Sequence, residues 1–363
     1  MTERRYDIDW LRVIAIGLLL IYHIAIVFQP WGVLIGFMQS PESLTSVWTP
    51  MTMLNIWRIP LLFFVSGMGV AFAIRKRNFK ALLKERTLRI FIPFTAGMLL
   101  ITPLHVMIWQ NYYNQDITYT ISQSHLWFLL NIFLYVIILS PLFFYLKKHK
   151  EGLFMQALQR ILNNPFGLSV ITVPFVLEAL IVNPELFELY AQTLHGYILG
   201  FMAFFFGFIL VETGNAFWNT VKKWRWQLLL LAMLLYLVRW YFFNLRSPDF
   251  LMSIESNLWI FSALGFAFKY LNRPGKTLRY LSQAVYPVYI LHMIFLFLAS
   301  SLILPLSVSI WLKFIIIVVL TMGGCLLTYE FVIKRINVLR PLFGMKISSK
   351  SQPRSLQRNT LPA

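Results

Sequence analysis

Charge is the first thing this sequence lacks. Asp, Glu, Lys and Arg make up 13% of its 363 residues, about half of what a soluble domain carries. So few charges cannot cover a water-exposed surface, whereas 58% hydrophobic residues and a mean hydropathy of +0.68 suit a bilayer. Cysteine is nearly absent: Cys325 stands alone, so no internal disulfide can form. Familiar catalytic signatures are missing too. There is no P-loop, no GxSxG, no HExxH and no Cys/His set with metal-ligand spacing, so no metal is expected and serine-hydrolase chemistry is disfavoured. Acidic residues number 14 against 32 Lys and Arg. A net charge of +18 would suit a nucleic-acid binder, but the basic residues are dispersed between apolar runs, and no nucleic-acid partner is expected. Sequence repeats are absent, and the one biased segment is the polar SSKSQPRSLQRNT at 348–360.

Long apolar runs are what the chain has in abundance. Ten are expected to span, at 8–29, 52–74, 88–109, 124–146, 166–183, 192–212, 226–244, 251–271, 281–304 and 308–333, each long enough for roughly 30 Å of hydrocarbon. The first run has no A-x-A-like cleavage site, so it is expected to remain as a span rather than leave as a signal peptide. The expected fold is all-α, a ten-transmembrane-helix bundle over 1–345 with a polar, disordered tail over 346–363. Lys and Arg fill every second connection: Arg75 to Lys84, Lys147 to Arg160, Lys222 to Arg225, and Lys269 to Arg279. The connections between hold Glu42, Asp116, Glu185 and Glu188. This alternation obeys the positive-inside rule and predicts both termini in the cytoplasm. Pro60, Pro174 and Pro287 are expected to kink spans and free carbonyls. Gly196 and Gly200 form a small-xxx-small pair suited to close helix packing.

Ionisable residues inside such runs need a reason, because their burial is costly. In DIDWLRVIAIGLLLIYHIAIVF (7–28), Arg12 and His23 lie eleven residues apart. That is close to three helical turns, so both project from nearly one face, about 16 Å apart. Asp9 can pair with Arg12 at the cytoplasmic end. His23 falls beyond mid-membrane, where a neutral imidazole can take a proton from a hydroxyl. Arg58, His105, His125, Glu178, His195, Arg239, Glu255 and His292 fall at similar or more outward depths, which predicts a polar cavity open to the outside. On the cytoplasmic side, ERTLRIFIP (85–93) sets Arg86 and Arg89 three apart at the start of the third span. Two planar guanidinium forks there suit one phosphate-bearing anion.

In this combination the residues carry a resemblance. Arg12, ten residues and His23 resemble the hallmark of the acyltransferase-3 family of membrane acyltransferases. FFVSG (63–67), Arg86-x-x-Arg89 before an Ile-Pro, SHLWFL (124–129) and YPVYILH (286–292) are similar to its further motifs, in family order. SHLWFL, IESN (254–257) and LTYEFVIKRINVLRPLFG (327–344) further resemble the branch that succinylates periplasmic glucans. The resemblance implies transfer of an acetyl or succinyl group from cytoplasmic acyl-CoA to a hydroxyl of an extracytoplasmic or lipid-linked glycan, in the bacterial inner membrane. It implies His23 as general base, with Arg12 and Asp9 beside the donor path, and Arg86 and Arg89 on the CoA phosphates. His125, Glu255, His292 and Arg58 are then candidates for orienting the acceptor or the base. A secondary transporter is the rival reading, since it too needs buried His and Glu.

Overall fold

The computed structural model describes residues 4–347, which are helical with no β-strand among them. Ten helices are long and apolar enough to cross a membrane: Tyr6–Val27, Thr45–Ile74, Phe79–Tyr112, Ser124–Lys148, Pro165–Val182, Leu194–Glu212, Asn215–Phe243, Asp249–Tyr270, Lys276–Ile303 and Ile310–Ile333. The protein is therefore a multi-pass, all-α membrane protein. Two spans start about ten residues earlier than their apolar runs. Asn78 caps the third by accepting from the Ala81 amide at 2.9 Å, and the polar turns after it simply continue the helix. The seventh likewise begins at Asn215 and carries Lys222, Lys223 and Arg225 as helix. A short helix, Leu153–Leu162, occupies the fourth connection and buries Met155, Leu158 and Leu162 from one face. Of the tail expected at 346–363, Lys346 and Ile347 are described and the remainder lies outside the described residues.

The first and second spans form the centre. In its most apolar stretch the second span is 83% buried inside the protein, against 22% for the seventh and tenth, which present apolar side chains outward. The first span packs on the second, eighth, ninth and tenth, while the second lies along the sixth. The crossing of the second and sixth spans is set by glycine. A Cβ at Gly67 would lie 1.9 Å from the Phe204 carbonyl oxygen, and one at Gly207 would lie 2.0 Å from that of Phe64. The expected Gly196/Gly200 pair does something different. Gly196 clears the backbone of Tyr190 in its own preceding loop, and Gly200 clears the rings of Phe63 and Tyr135. The close backbone approach is made one to three turns further along.

Pro60 shows how a helix defect is used. Lacking an N–H, it cannot bond the Ile56 carbonyl four residues back. That carbonyl instead accepts from the Tyr190 hydroxyl at 2.9 Å and the Ser256 hydroxyl at 2.8 Å. The proline thus ties the second span to the eighth and to the 183–193 loop. Successive spans alternate in direction, so the bundle has two ends. We name them the arginine end, after Arg12, Arg86 and Arg89, and the histidine end, after His23. The Lys- and Arg-rich connections and both ends of the described chain lie at the arginine end.

Candidate active site

At the arginine end, Arg12 is held from two sides. Its Nη1 lies 3.7 Å from Asp9 Oδ1, and the other Asp9 oxygen takes Arg4 Nη2 at 2.9 Å. Its Nη2 passes 3.5 Å from where a Cβ on Gly69 would stand. The Gly69 carbonyl in turn accepts from Arg86 Nη2 at 3.4 Å. One glycine of the second span therefore brings together arginines from the first and third. Arg86 directly precedes a π-helical turn, Thr87–Phe91, and Arg89 lies within it. A second π turn follows at Gly97–Ile101. Each is succeeded within two residues by a proline, Pro93 or Pro103, whose missing N–H favours the wider turn. Glu85 bridges the pair, with one oxygen 3.3 Å from Arg86 Nε and the other 3.3 Å from Arg89 Nε. These arginines line a cavity of about 550 Å³, which Arg12, Ser66, Tyr286, Arg340 and Lys346 also border.

A second cavity, of about 340 Å³, opens beyond it toward the histidine end. His23, Arg58, His125, Tyr22, Asn55 and Glu188 are among the residues that line it. The two cavities share Leu62, Phe128 and Tyr289 as a common wall. His23 does not stand alone there. Its Nδ1 lies 2.8 Å from Nε2 of His292, and the two rings are nearly parallel at 16°. His292 Nδ1 lies 2.6 Å from the Tyr289 carbonyl oxygen, which can only accept. His292 must therefore carry its proton on Nδ1 and present a bare Nε2. It follows that neutral His23 donates from Nδ1 to that nitrogen and keeps the Nε2 lone pair free. His125 approaches the His292 ring at 4.8 Å and donates through Nε2 to the Ile290 carbonyl at 3.1 Å. His105 follows, 5.8 Å from the His125 ring and 3.2 Å from the Ser124 hydroxyl. Among the described residues no three His, Cys, Asp or Glu side chains are grouped to hold a metal ion.

A half-buried histidine and a cluster of arginines occupy opposite sides of one thin wall, and the family model of an acyltransferase domain matches residues 5–330. The chain belongs to the acyltransferase-3 family. No curated protein and no solved structure matches it significantly. The match makes it a membrane acyltransferase.

Within this acyltransferase the expected site residues are only partly brought together. His23, His125, His292 and Arg58 gather at the histidine-end cavity or directly against it, and Arg12, Arg86 and Arg89 gather at the other. Glu255 lines neither. Its carboxylate is buried in a two-pronged pair with Arg239, at 2.8 and 3.0 Å, and also accepts from Trp259 Nε1 at 3.3 Å. That pair joins the seventh and eighth spans. Glu178 and His195 form a second buried pair, at 2.9 Å, between the fifth and sixth. Arg340 and Lys346 at the arginine-lined cavity, and Glu85 beside its arginines, were missed by the sequence reading, and so were Tyr22 and Tyr289. Arg340 sits beyond the last span in LRPLFG, where a 3₁₀ turn and Gly344, at φ +69°, fold the chain back beneath the bundle. Its Nε donates to the Lys346 carbonyl at 2.7 Å. The Pro-Leu-Phe-Gly that makes this turn was visible in the sequence.

Proposed function

We propose that this acyltransferase moves an acyl group from acyl-CoA at the arginine end to a hydroxyl of a glycan or glycolipid at the histidine end. One observation carries the reading: two cavities, one arginine-lined and one holding a histidine with a free Nε2, meet at Leu62, Phe128 and Tyr289. Arg86, Arg89, Arg12 and Arg340 would hold the CoA phosphates, with Glu85 yielding its two arginines to them. The pantetheine arm would pass Leu62 and Tyr289, so that its thioester meets the acceptor beside His23. The acceptor hydroxyl then attacks the thioester carbon while its proton passes to His23 Nε2. The carbonyl electrons move onto oxygen and return as the carbon–sulfur bond breaks. The departing CoA sulfur takes the proton from His23 Nε2, which restores the base. His292 holds the His23 ring throughout and supports the imidazolium through the Nδ1–H bond. The Lys/Arg distribution favours a cytoplasmic arginine end, the compartment where acyl-CoA is made, and the family resemblance favours the inner membrane of a bacterium. An acetyl or a succinyl group is the cargo we favour.

Binding of acetyl-CoA and succinyl-CoA to the purified protein in detergent tests the donor half. An Arg86→Ala/Arg89→Ala variant should bind either donor at least tenfold more weakly while remaining folded, since charged hydrogen bonds contribute roughly 1.5–3 kcal/mol each. Lys at both positions should rescue in part, because it keeps the charge and loses the planar fork. Unchanged affinity in the Ala variant would return both arginines to the role of topology signals.

A further inference from the structure

Two arginines are deeply buried among the spans, and they are treated differently. Arg239, 2% exposed, has a two-pronged carboxylate partner in Glu255 and also donates to the carbonyls of Thr52 and Leu245. Its charge is matched within the protein. Arg58, 3% exposed, has no hydrogen-bond partner for Nε or Nη1 among the described residues. It stacks on the Tyr22 ring at 3.8 Å, which fixes the plane of the guanidinium without neutralising it. Glu188 borders the same cavity, but no ion pair joins it to Arg58. Leaving a cation so exposed to uncompensated burial is costly and calls for a reason.

Position supplies one. The first and second spans run antiparallel, and Arg12 faces Gly69. Arg58 lies eleven residues from Gly69, as His23 lies eleven from Arg12, so the two stand at one height. Both line the same small cavity, and the Tyr22 ring lies 6.0 Å from that of His23 and 3.8 Å from the Arg58 guanidinium. A base and an unpaired cation at one height, lining one cavity, are what a developing oxyanion requires.

We propose that Arg58 stabilises the tetrahedral oxyanion of acyl transfer, an assignment that rests on the acyl-CoA reading above. When the hydroxyl oxygen bonds to the thioester carbon, the carbonyl π electrons move onto oxygen and the hydroxyl proton moves to His23. The negative charge forms beside the guanidinium and disappears again when the carbon–sulfur bond breaks and the electrons re-form the carbonyl. A resting carboxylate partner would blunt this attraction. Tyr22 holds Arg58 in place without doing so.

The test uses two CoA thiol derivatives and no acceptor. Acetyl-CoA carries a neutral carbonyl. Carboxymethyl-CoA, a thioether, places a fixed carboxylate one bond beyond the carbon that would carry the oxyanion, within reach of the same guanidinium. Equilibrium binding of each to purified wild type, Arg58→Met and Arg58→Lys should show a charge-selective loss. Arg58→Met should bind carboxymethyl-CoA roughly 10- to 100-fold more weakly, as expected for a lost charged hydrogen bond, and acetyl-CoA within about twofold of wild type. Arg58→Lys should fall between them and answers the question if Arg58→Met does not fold. An equal loss for both compounds would make Arg58 part of ordinary donor binding, and no loss for either would leave it structural; each overturns the proposal while the acyl-CoA reading stands. Wild type that binds neither compound would overturn that reading and the Arg58 assignment with it.

Discussion

At the scale of single residues, the proposed chemistry depends on which nitrogen of His23 is free. The chain of contacts from the Tyr289 carbonyl through His292 leaves Nε2 free to act as the proposed base, with His292 as the residue that would position it. Replacing His292 with Ala should leave acyl-CoA affinity within about twofold and lower kcat by tenfold or more, as expected when a base loses its tautomer and orientation. Gln, whose amide oxygen can accept from Nδ1–H, should restore part of the rate. Were His292 only packing, kcat per folded molecule would hold and thermal stability would fall. Arg12 and His23 were legible in the sequence because eleven residues on one helix fix both height and direction. The partnership of His23 with His292 was not, since 269 residues separate them and only packing brings them together. Glu255 teaches the same point in reverse. Its height was legible, but the direction it faces was not, and it faces Arg239.

At the scale of elements, run length made the ten spans legible, because hydrocarbon thickness sets how many apolar residues a crossing needs. Helix ends were less so, since polar residues outside the hydrocarbon can continue a helix, as they do before the third and seventh spans. The two π turns in the third span and the role of Pro60 depend on which carbonyls find partners, which run length does not report. Neighbouring glycines of SGMG provide a sharp test of the packing. Gly67 faces the Phe204 carbonyl at a distance no Cβ can occupy, whereas a Cβ at Gly69 would stand 3.5 Å from Arg12, an ordinary contact. Gly67→Ala should therefore lower thermal stability by about 1–3 kcal/mol or more through overpacking. Gly69→Ala should keep the fold. Equal stability in the two variants would mean that the second and sixth spans cross elsewhere.

At the scale of the whole molecule, orientation decides whether donor and acceptor arrive from opposite sides. A reporter fused after Lys150 or Lys276 should be cytoplasmic, and one near Asp116 or Glu188 should be outside, because Lys and Arg segregate to the arginine end. A cytoplasmic 110–123 connection would reverse the assignment of both cavities. The outer cavity was anticipated by the heights of the buried polar residues, but the arginine-lined cavity and the meeting of the two at Leu62, Phe128 and Tyr289 were not, since those residues come from three different spans that only packing brings together. A transporter would use such a pair of cavities to move a solute and would leave acyl-CoA intact. The most direct measurement is release of free CoA from acetyl-CoA or succinyl-CoA by purified protein supplied with an envelope glycan extract, for wild type and His23→Gln. The account predicts release by wild type and a loss of about 10²–10⁴ in rate for His23→Gln, with donor affinity and thermal stability retained. Folded His23→Gln that binds the donor and releases CoA at the wild-type rate would contradict it.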